Sequence, residues 1–304
     1  MKAMRWHTWI GNARNYWTTI LPDCGQPGCS LLRRLWRRLR WWNGTIRLHG
    51  LRYCAPQCFE SAAGQRLGEI CNLSSPAEAV QHRIPLGLLM LSRGQLSNRQ
   101  LRSALEAQQA SGRYRLGEWL EKLGFASEQQ ITTALGLQWA CPVVTTRLNP
   151  DYRCVRLIPF RILETYRMLP IQFVESTRTF YLAFSEGIDY GVLNAVEQIL
   201  DCRTEACLVS RSAMNAALEQ IGRDRNAIDL LFEGWRHAPE MARITTGYVL
   251  KLGAQTVRVA GCGRYIWVRL CAGGEVANLI FRRPGSFQVQ PATWDEPLIQ
   301  QITS

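Results

Sequence analysis

Residues 85–108, PLGLLMLSRGQLSNRQLRSALEAQ, are answered thirty positions later by residues 115–138, RLGEWLEKLGFASEQQITTALGLQ. Pro85-Leu86-Gly87 matches Arg115-Leu116-Gly117, Gly94 matches Gly124, and Gln108 matches Gln138. Leu101 and Leu105 are matched by Ile131 and Leu135, which predicts a shared buried face on two equivalent helices. Ser97 with Gln100, and Ser127 with Gln130, repeat a capping box in the same register. A fixed period of this length marks a duplicated supersecondary unit. Each copy predicts two short helices, 87–93 then 98–109 and 117–123 then 128–138. Gly94 and Gly124 end the first of each pair, where a left-handed residue is cheapest as glycine.

Outward from the repeat, the following residues read as a compact α/β unit. A helix over 151–166 precedes strands 168–174 and 179–184, then helix 190–200, strand 204–209 and helix 212–221. The last part begins with an amphipathic stretch, 226–235, and a helix over 240–252 that ends at Gly253. Alternating strands at 256–260, 265–271 and 276–282 follow, with turns at Gly261-Cys262-Gly263 and Gly273-Gly274.

At 304 residues the chain is long enough for two or three domains. Its 47% apolar and 20% charged residues are those of a folded globular protein. The apolar runs are too short and too often interrupted by arginine to span a bilayer, and residues 1–22 do not read as a secretory signal. The expectation is a cytoplasmic protein. Of the net charge of +12, residues 1–65 hold +8, from ten basic residues against Asp23 and Glu60. The basicity is therefore concentrated at the N-terminus.

Eleven cysteines without an export signal argue against a disulfide framework. Seven are scattered in apolar runs and read as small buried hydrophobes. Cys24 and Cys29 lie instead in CGQPGC, and Cys54 and Cys58 in YCAPQC, separated by a hairpin-like alternation over 44–53 and followed by a helix start. Four thiolates closing a tetrahedral shell predict a structural Zn²⁺ site in a zinc-ribbon or treble-clef-like module, with no open position for catalysis. Between the pairs, Leu32, Leu35, Trp36 and Leu39 share a helical face flanked by Arg33, Arg34, Arg37 and Arg38. That segment reads as an amphipathic helix packed on the protein, or as a nucleic-acid or anionic-membrane surface.

The copy at 115–138, and the order of elements through residue 222, resemble the N-terminal domain of type II secretion and type IV pilus assembly ATPases. In some members of that family the tandem motif binds cyclic di-GMP. By that resemblance Arg115, Leu116, Gly117, Leu120, Gly124, Leu135 and Gln138 would line one half of the ligand site. Leu86, Gly87, Gly94, Leu105 and Gln108 would line the other. The first copy departs from the family at Pro85, which carries neither charge nor donor, with Arg83 as the nearby substitute. The C-terminal strands resemble the family's PAS-like second domain, with Gln255-Thr256-Val257-Arg258 at its usual acidic and histidine positions.

No GxxxxGKS/T stretch, no HExxH and no Ser/His/Asp set occurs in the sequence. The expectation is an α+β multidomain protein without catalysis. Its parts would be a zinc module at 1–65, a linker at 66–83, the tandem-motif helical subdomain at 84–145, the α/β subdomain at 146–223 and the PAS-like domain at 224–304. Its expected role is regulatory, docking to secretion or pilus assembly proteins at the inner-membrane platform. The alternatives are a ligand-free interaction scaffold and a nucleic-acid binder acting through the basic module.

Overall fold

The computed structural model describes residues 24–29, 46–72, 83–112, 114–145, 148, 150–223 and 228–283. The arginine- and tryptophan-rich segment 31–42 lies outside them. The described residues form ten helices and two sheets, an α+β architecture in two compact units. One unit is built from residues of 1–73 and 228–282, the other from residues of 74–227.

In the second unit the duplication is visible in the backbone. Helices α2 (Leu86–Ser92) and α4 (Leu116–Lys122) open the two copies, and α3 (Asn98–Ser111) and α5 (Glu128–Trp139) complete them. Both predicted capping boxes form. Gln100 N–H donates to Ser97 Oγ at 3.3 Å and Ser97 N–H to Gln100 Oε1 at 2.9 Å. In the second copy the same bonds measure 3.3 and 2.8 Å. Gly94 and Gly124 both sit at φ +68°, a conformation that other L-residues resist. The shared core pairs Met90 with Leu120, Leu96 with Ala126, Leu101 with Ile131 and Ala104 with Ala134, all buried. The expected spacing is corrected here: the buried face continues to the alanine three residues on, whose small side chain admits close packing. Leu105, one position further, is 39% exposed, and Leu135 is half-buried.

After α5 the chain bonds to the neighbouring sheet, where Val144 N–H donates to Leu208 O at 2.8 Å. The expected helix over 151–166 is two, α6 (Tyr152–Val155) and α7 (Phe160–Tyr166), because Pro159 cannot continue a helix and instead precedes the next. Strands β3 (Met168–Val174), β4 (Thr179–Phe184) and β5 (Arg203–Leu208) form a sheet in that order, the first pair antiparallel and the second parallel. Helix α8 (Tyr190–Leu200) makes the crossover, its first turn capped by Asp189 accepting from Val192 N–H at 3.1 Å. Helix α9 (Arg211–Arg223) closes the unit.

The first unit joins the two ends of the described chain. Strands β1 (Ile46–Leu48) and β2 (Leu51–Tyr53) form a hairpin through His49 and Gly50, at φ +47° and +85°. Positive φ at both loop positions matches the twist of a two-residue hairpin. Helix α1 (Pro56–Asn72) follows. The remaining elements are β6 (Ile228–Phe232), α10 (Ala238–Leu252), β7 (Thr256–Cys262), β8 (Tyr265–Ala272) and β9 (Glu275–Arg282). Six strands make one sheet in the order β2-β1-β7-β8-β9-β6, with β1 parallel to β7 and β6 parallel to β9.

This arrangement departs from the sequence reading in three places. The hairpin expected in a separate N-terminal module extends the C-terminal sheet. Residues 66–72, expected in a linker, continue α1, whose Phe59, Ala63, Leu67 and Ile70 are buried at helical spacing. The amphipathic stretch at 226–235 contains a strand, because β9 offers it a parallel partner from Ala277 to Phe281. Gly64 and Gly68, which weaken helix propensity, serve the packing: a Cβ added there would already touch Ala242 Cβ at 3.6 Å and Ala238 Cβ at 3.8 Å.

Candidate functional site

Of the residues assigned to a ligand by resemblance, Leu86, Gly87, Leu116 and Gly117 open α2 and α4, Gly94 and Gly124 follow their C-termini, and most of the set also works for the fold. Gly87 is filled from both copies: an added Cβ would lie 2.5 Å from Leu101 Cδ1 and 3.1 Å from Leu116 Cδ2. Gly117 is the mirror case, with Ile131 Cγ2 at 3.0 Å and Leu86 Cδ2 at 3.7 Å. Each glycine therefore gives its room first to an apolar side chain of its own copy and also meets a leucine of the other. Leu120 is 0% exposed and belongs to the core. Gly94 and Gly124 terminate helices, with nothing within 4 Å of an added Cβ. Leu86, Leu116 and Leu135 are half-buried at the rim.

The two glutamines clasp the copies reciprocally. Gln108 Nε2, at the end of the first copy, donates to Tyr114 O at 3.2 Å, just before the second copy begins. Gln138 Nε2, at the end of the second copy, donates to Ile84 O at 2.8 Å, just before the first.

Arg115 differs from the others. Its side chain is 67% exposed, its Nη1 donates to Glu186 O at 3.1 Å and its Nη2 lies 3.4 Å from Glu186 Oε2. An exposed pair of this kind contributes about 0–1 kcal/mol, so an anionic or guanine ligand could displace it at little cost. Pro85 occupies the equivalent position before α2. Arg83 stacks instead on Trp139, its Cζ 3.3 Å from the ring centroid, with Tyr190 at 5.9 Å. Trp139 in turn abuts Gly187, where φ is +148° and a Cβ would lie 2.8 Å from the indole. Arg115 thus reaches the loop between β4 and α8 directly, and Arg83 approaches it through Trp139. Glu186 and Trp139 carry no local signal of this role, because their partners are distant in sequence.

The second copy is also tied to α9. Glu128 Oε1 accepts from Ser212 N–H at 2.7 Å, Glu128 Oε2 accepts from Ser212 Oγ–H at 2.6 Å, and Arg211 pairs with Glu118 at 3.2 Å. The first copy has Leu88 and Asn98 at those positions, both exposed.

In the other unit, the sulfurs of Cys24, Cys29, Cys54 and Cys58 all lie within 4.8 Å of one another. Cys29 to Cys54 is 3.4 Å, Cys54 to Cys58 3.8 Å and Cys58 to Cys29 3.9 Å. A ZnS₄ tetrahedron with bonds of about 2.3 Å has edges of about 3.8 Å, whereas a disulfide needs about 2.05 Å. The donor set fits a tetrahedral soft divalent ion. Cys24 and Cys29 flank a turn held by Gly25 N–H donating to Arg52 O at 2.8 Å; Cys54 follows β2 and Cys58 lies in the first turn of α1.

Without a cation the cluster resists ionisation unevenly. Burial, then the hydrogen bond with Cys54 and the nearby thiols, pushes Cys58 up to about 12, and burial likewise raises Cys54. Burial would raise Cys24 too, but hydrogen bonds from the Cys54 and Gln26 backbone, then from the Cys54 and Cys29 sulfurs, leave it lowered. Four adjacent thiolates need a cation to coexist. His49 stands apart: its Nε2 accepts from Val259 N–H at 3.0 Å, and burial with the charges of Arg66 and Arg258 lowers its pKa.

Residues 140–228 match the model of the MshEN domain. A solved structure of MshE with cdg (cyclic di-GMP) is 30% identical, the match covering 45% of this chain and 99% of that one, at a TM-score of 0.39. The chain belongs to the MshEN family. This is the N-terminal domain of type II secretion and type IV pilus assembly ATPases, as the tandem motif led us to expect. A structure of the N-terminal domain of XpsE is 21% identical, covering 44% of this chain and 92% of that one, at a TM-score of 0.36. No curated protein matches the chain. The MshEN match includes the loop that meets Arg115 and Trp139. A type II secretion or type IV pilus-related role follows from the family.

Proposed function

We propose that this MshEN-family chain is a non-catalytic regulatory adaptor that binds cyclic di-GMP on its tandem motif and docks accordingly to a secretion or pilus assembly partner. The observation that carries the reading is Arg115, exposed at the start of α4 and engaged by the exchangeable carboxylate of Glu186. A guanidinium can bond a guanine edge through its fork and stack on the ring face. Leu116 and Leu135 at the rim supply apolar cover, and Gly124 and Gln138 hold the backbone around them. The copy that starts at Pro85, with Leu86, Gly87, Gly94, Leu105 and Gln108, contributes shape rather than charge. Calorimetry with the purified protein tests this. Heat of binding at micromolar cyclic di-GMP is expected, weakened about tenfold or more in Arg115→Ala, as the loss of a charge-assisted contact implies. No heat from the unaltered protein would overturn it.

A second reading, a ligand-free interaction scaffold, is favoured by the internal use of Gly87, Gly117, Gln108 and Gln138. It predicts that Arg115→Ala leaves partner binding intact. Cys24, Cys29, Cys54 and Cys58 would hold a structural Zn²⁺ in a treble-clef-like turn, hairpin and helix, supported by the tetrahedral spacing of their sulfurs. The helix leading into β7–β9 supports the PAS-like description of the C-terminal elements. Among the described residues no helix is long and apolar enough to cross a membrane. A cytoplasmic site beside the inner-membrane platform fits the family relation.

A further inference from the structure

The cysteine cluster and the C-terminal sheet are separated by about two hundred residues in sequence yet form one body. Cys24 is buried in the same core as Tyr53, Phe59, Val257, Val259 and Ile266. Gly25 is packed so tightly against β2 that an added Cβ would meet Tyr53 Oη at 3.1 Å and Leu51 Cβ at 3.2 Å. Tyr53 then meets Phe59 edge-on, with ring centroids 6.3 Å apart. The cysteines therefore fix three things at once: the turn at 24–29, the end of β2 and the first turn of α1.

Those three elements are what β7 and α10 lack without them. Arg47 N–H donates to Gln255 O at 2.8 Å and His49 N–H to Val257 O at 3.1 Å, which seats β1 on β7. His49 Nε2 reaches past them to accept from Val259 N–H at 3.0 Å. Behind the sheet, α1 lies against α10 through Gly64 and Gly68 facing Ala242 and Ala238, and Ile70 Cγ2 would lie 2.9 Å from a Cβ at Gly261. A hairpin of two three-residue strands is too short to hold itself together in water. Its anchor has to come from the sulfur cluster on one side or from β7 on the other.

We propose that the metal bound by Cys24, Cys29, Cys54 and Cys58 is the organising ligand of the C-terminal domain: it clamps β1, β2 and α1 into the shape that completes the β7–β9 sheet. This rests on the zinc reading above. Binding and folding are linked reciprocally, so the metal stabilises the sheet and the docked sheet tightens the metal. The tandem-motif unit, with its own core, lies outside the linkage.

The test uses the whole 304-residue chain. Zinc content is measured first, then amide hydrogen exchange with zinc bound and after stripping by a chelator. The proposal expects exchange in β7, β8 and α10 to rise about tenfold or more on stripping, as for a domain that loses a bound stabilising ion. Exchange in α3, α5 and β4 should stay within about twofold of its starting value. Unchanged protection of β7 and β8 in verified zinc-free protein would overturn the proposal while leaving the zinc site standing. Protein that neither carries nor takes up zinc would instead sink the zinc reading itself. His49→Ala keeps all four thiols and removes the contact to Val259. It should weaken zinc in a chelator competition by about threefold or more, the coupling expected of linked sites. A self-contained zinc module would show no change, which also counts against the proposal.

Discussion

The two copies of the tandem motif are equal inside and unequal outside. Their cores correspond position for position in burial: Met90 and Leu120 fully covered, Ala104 and Ala134 buried, glycines at identical φ where the first helices end. Their rims diverge. The second copy presents Arg115 to the Glu186 loop and two glutamates to α9, where the first presents proline, leucine and asparagine. Packing constrains a duplicated core on both sides at once, while each rim is free to take its own partner.

The strongest way to break this comparison is through the core. Met90→Ala and Leu120→Ala should each cost about 2–5 kcal/mol in urea unfolding, and by similar amounts, because both leave a cavity in the same shared interior. A cost confined to one of them would show that the copies are not equivalent after all. The rim should give the opposite answer. Glu128→Ala removes two charge-assisted bonds to Ser212 and is expected to destabilise by about 1.5–3 kcal/mol. The matching Asn98→Ala should stay within about 0.5 kcal/mol, as exposed sites usually do. Thermal denaturation of the two variants side by side measures that asymmetry. The smallest effect belongs to the caps: Ser97→Ala and Ser127→Ala should each cost about 1 kcal/mol, in step with each other.

What could be read from the sequence follows the same division between near and far. The capping boxes, the terminating glycines and, apart from the break at Pro159, the order of helices and strands through residue 222 were legible because each depends on residues within a turn or two. The pairing of β1 with β7 was not, since Leu48 and Val257 meet only after the whole second unit has been threaded between them. Gly64 and Gly68 give no local signal of their use, which depends on Ala238 and Ala242 standing opposite. At the tandem motif the sequence pointed to Arg115 but could not show Glu186 against it, or Trp139 beneath Arg83. Leu105 was misplaced for a local reason, as a three-residue and a four-residue helical spacing both fit the pattern of leucines.

The paired glutamine clasps carry one more consequence. Gln108 fastens the beginning of the second copy and Gln138 the beginning of the first, the exchange two identical subunits would make in a symmetric dimer. Here the six residues between the copies, 109–114, make the partner part of the same molecule, at an effective concentration on the order of millimolar. Assembly that two separate copies could complete only when crowded together is therefore independent of how dilute the protein becomes.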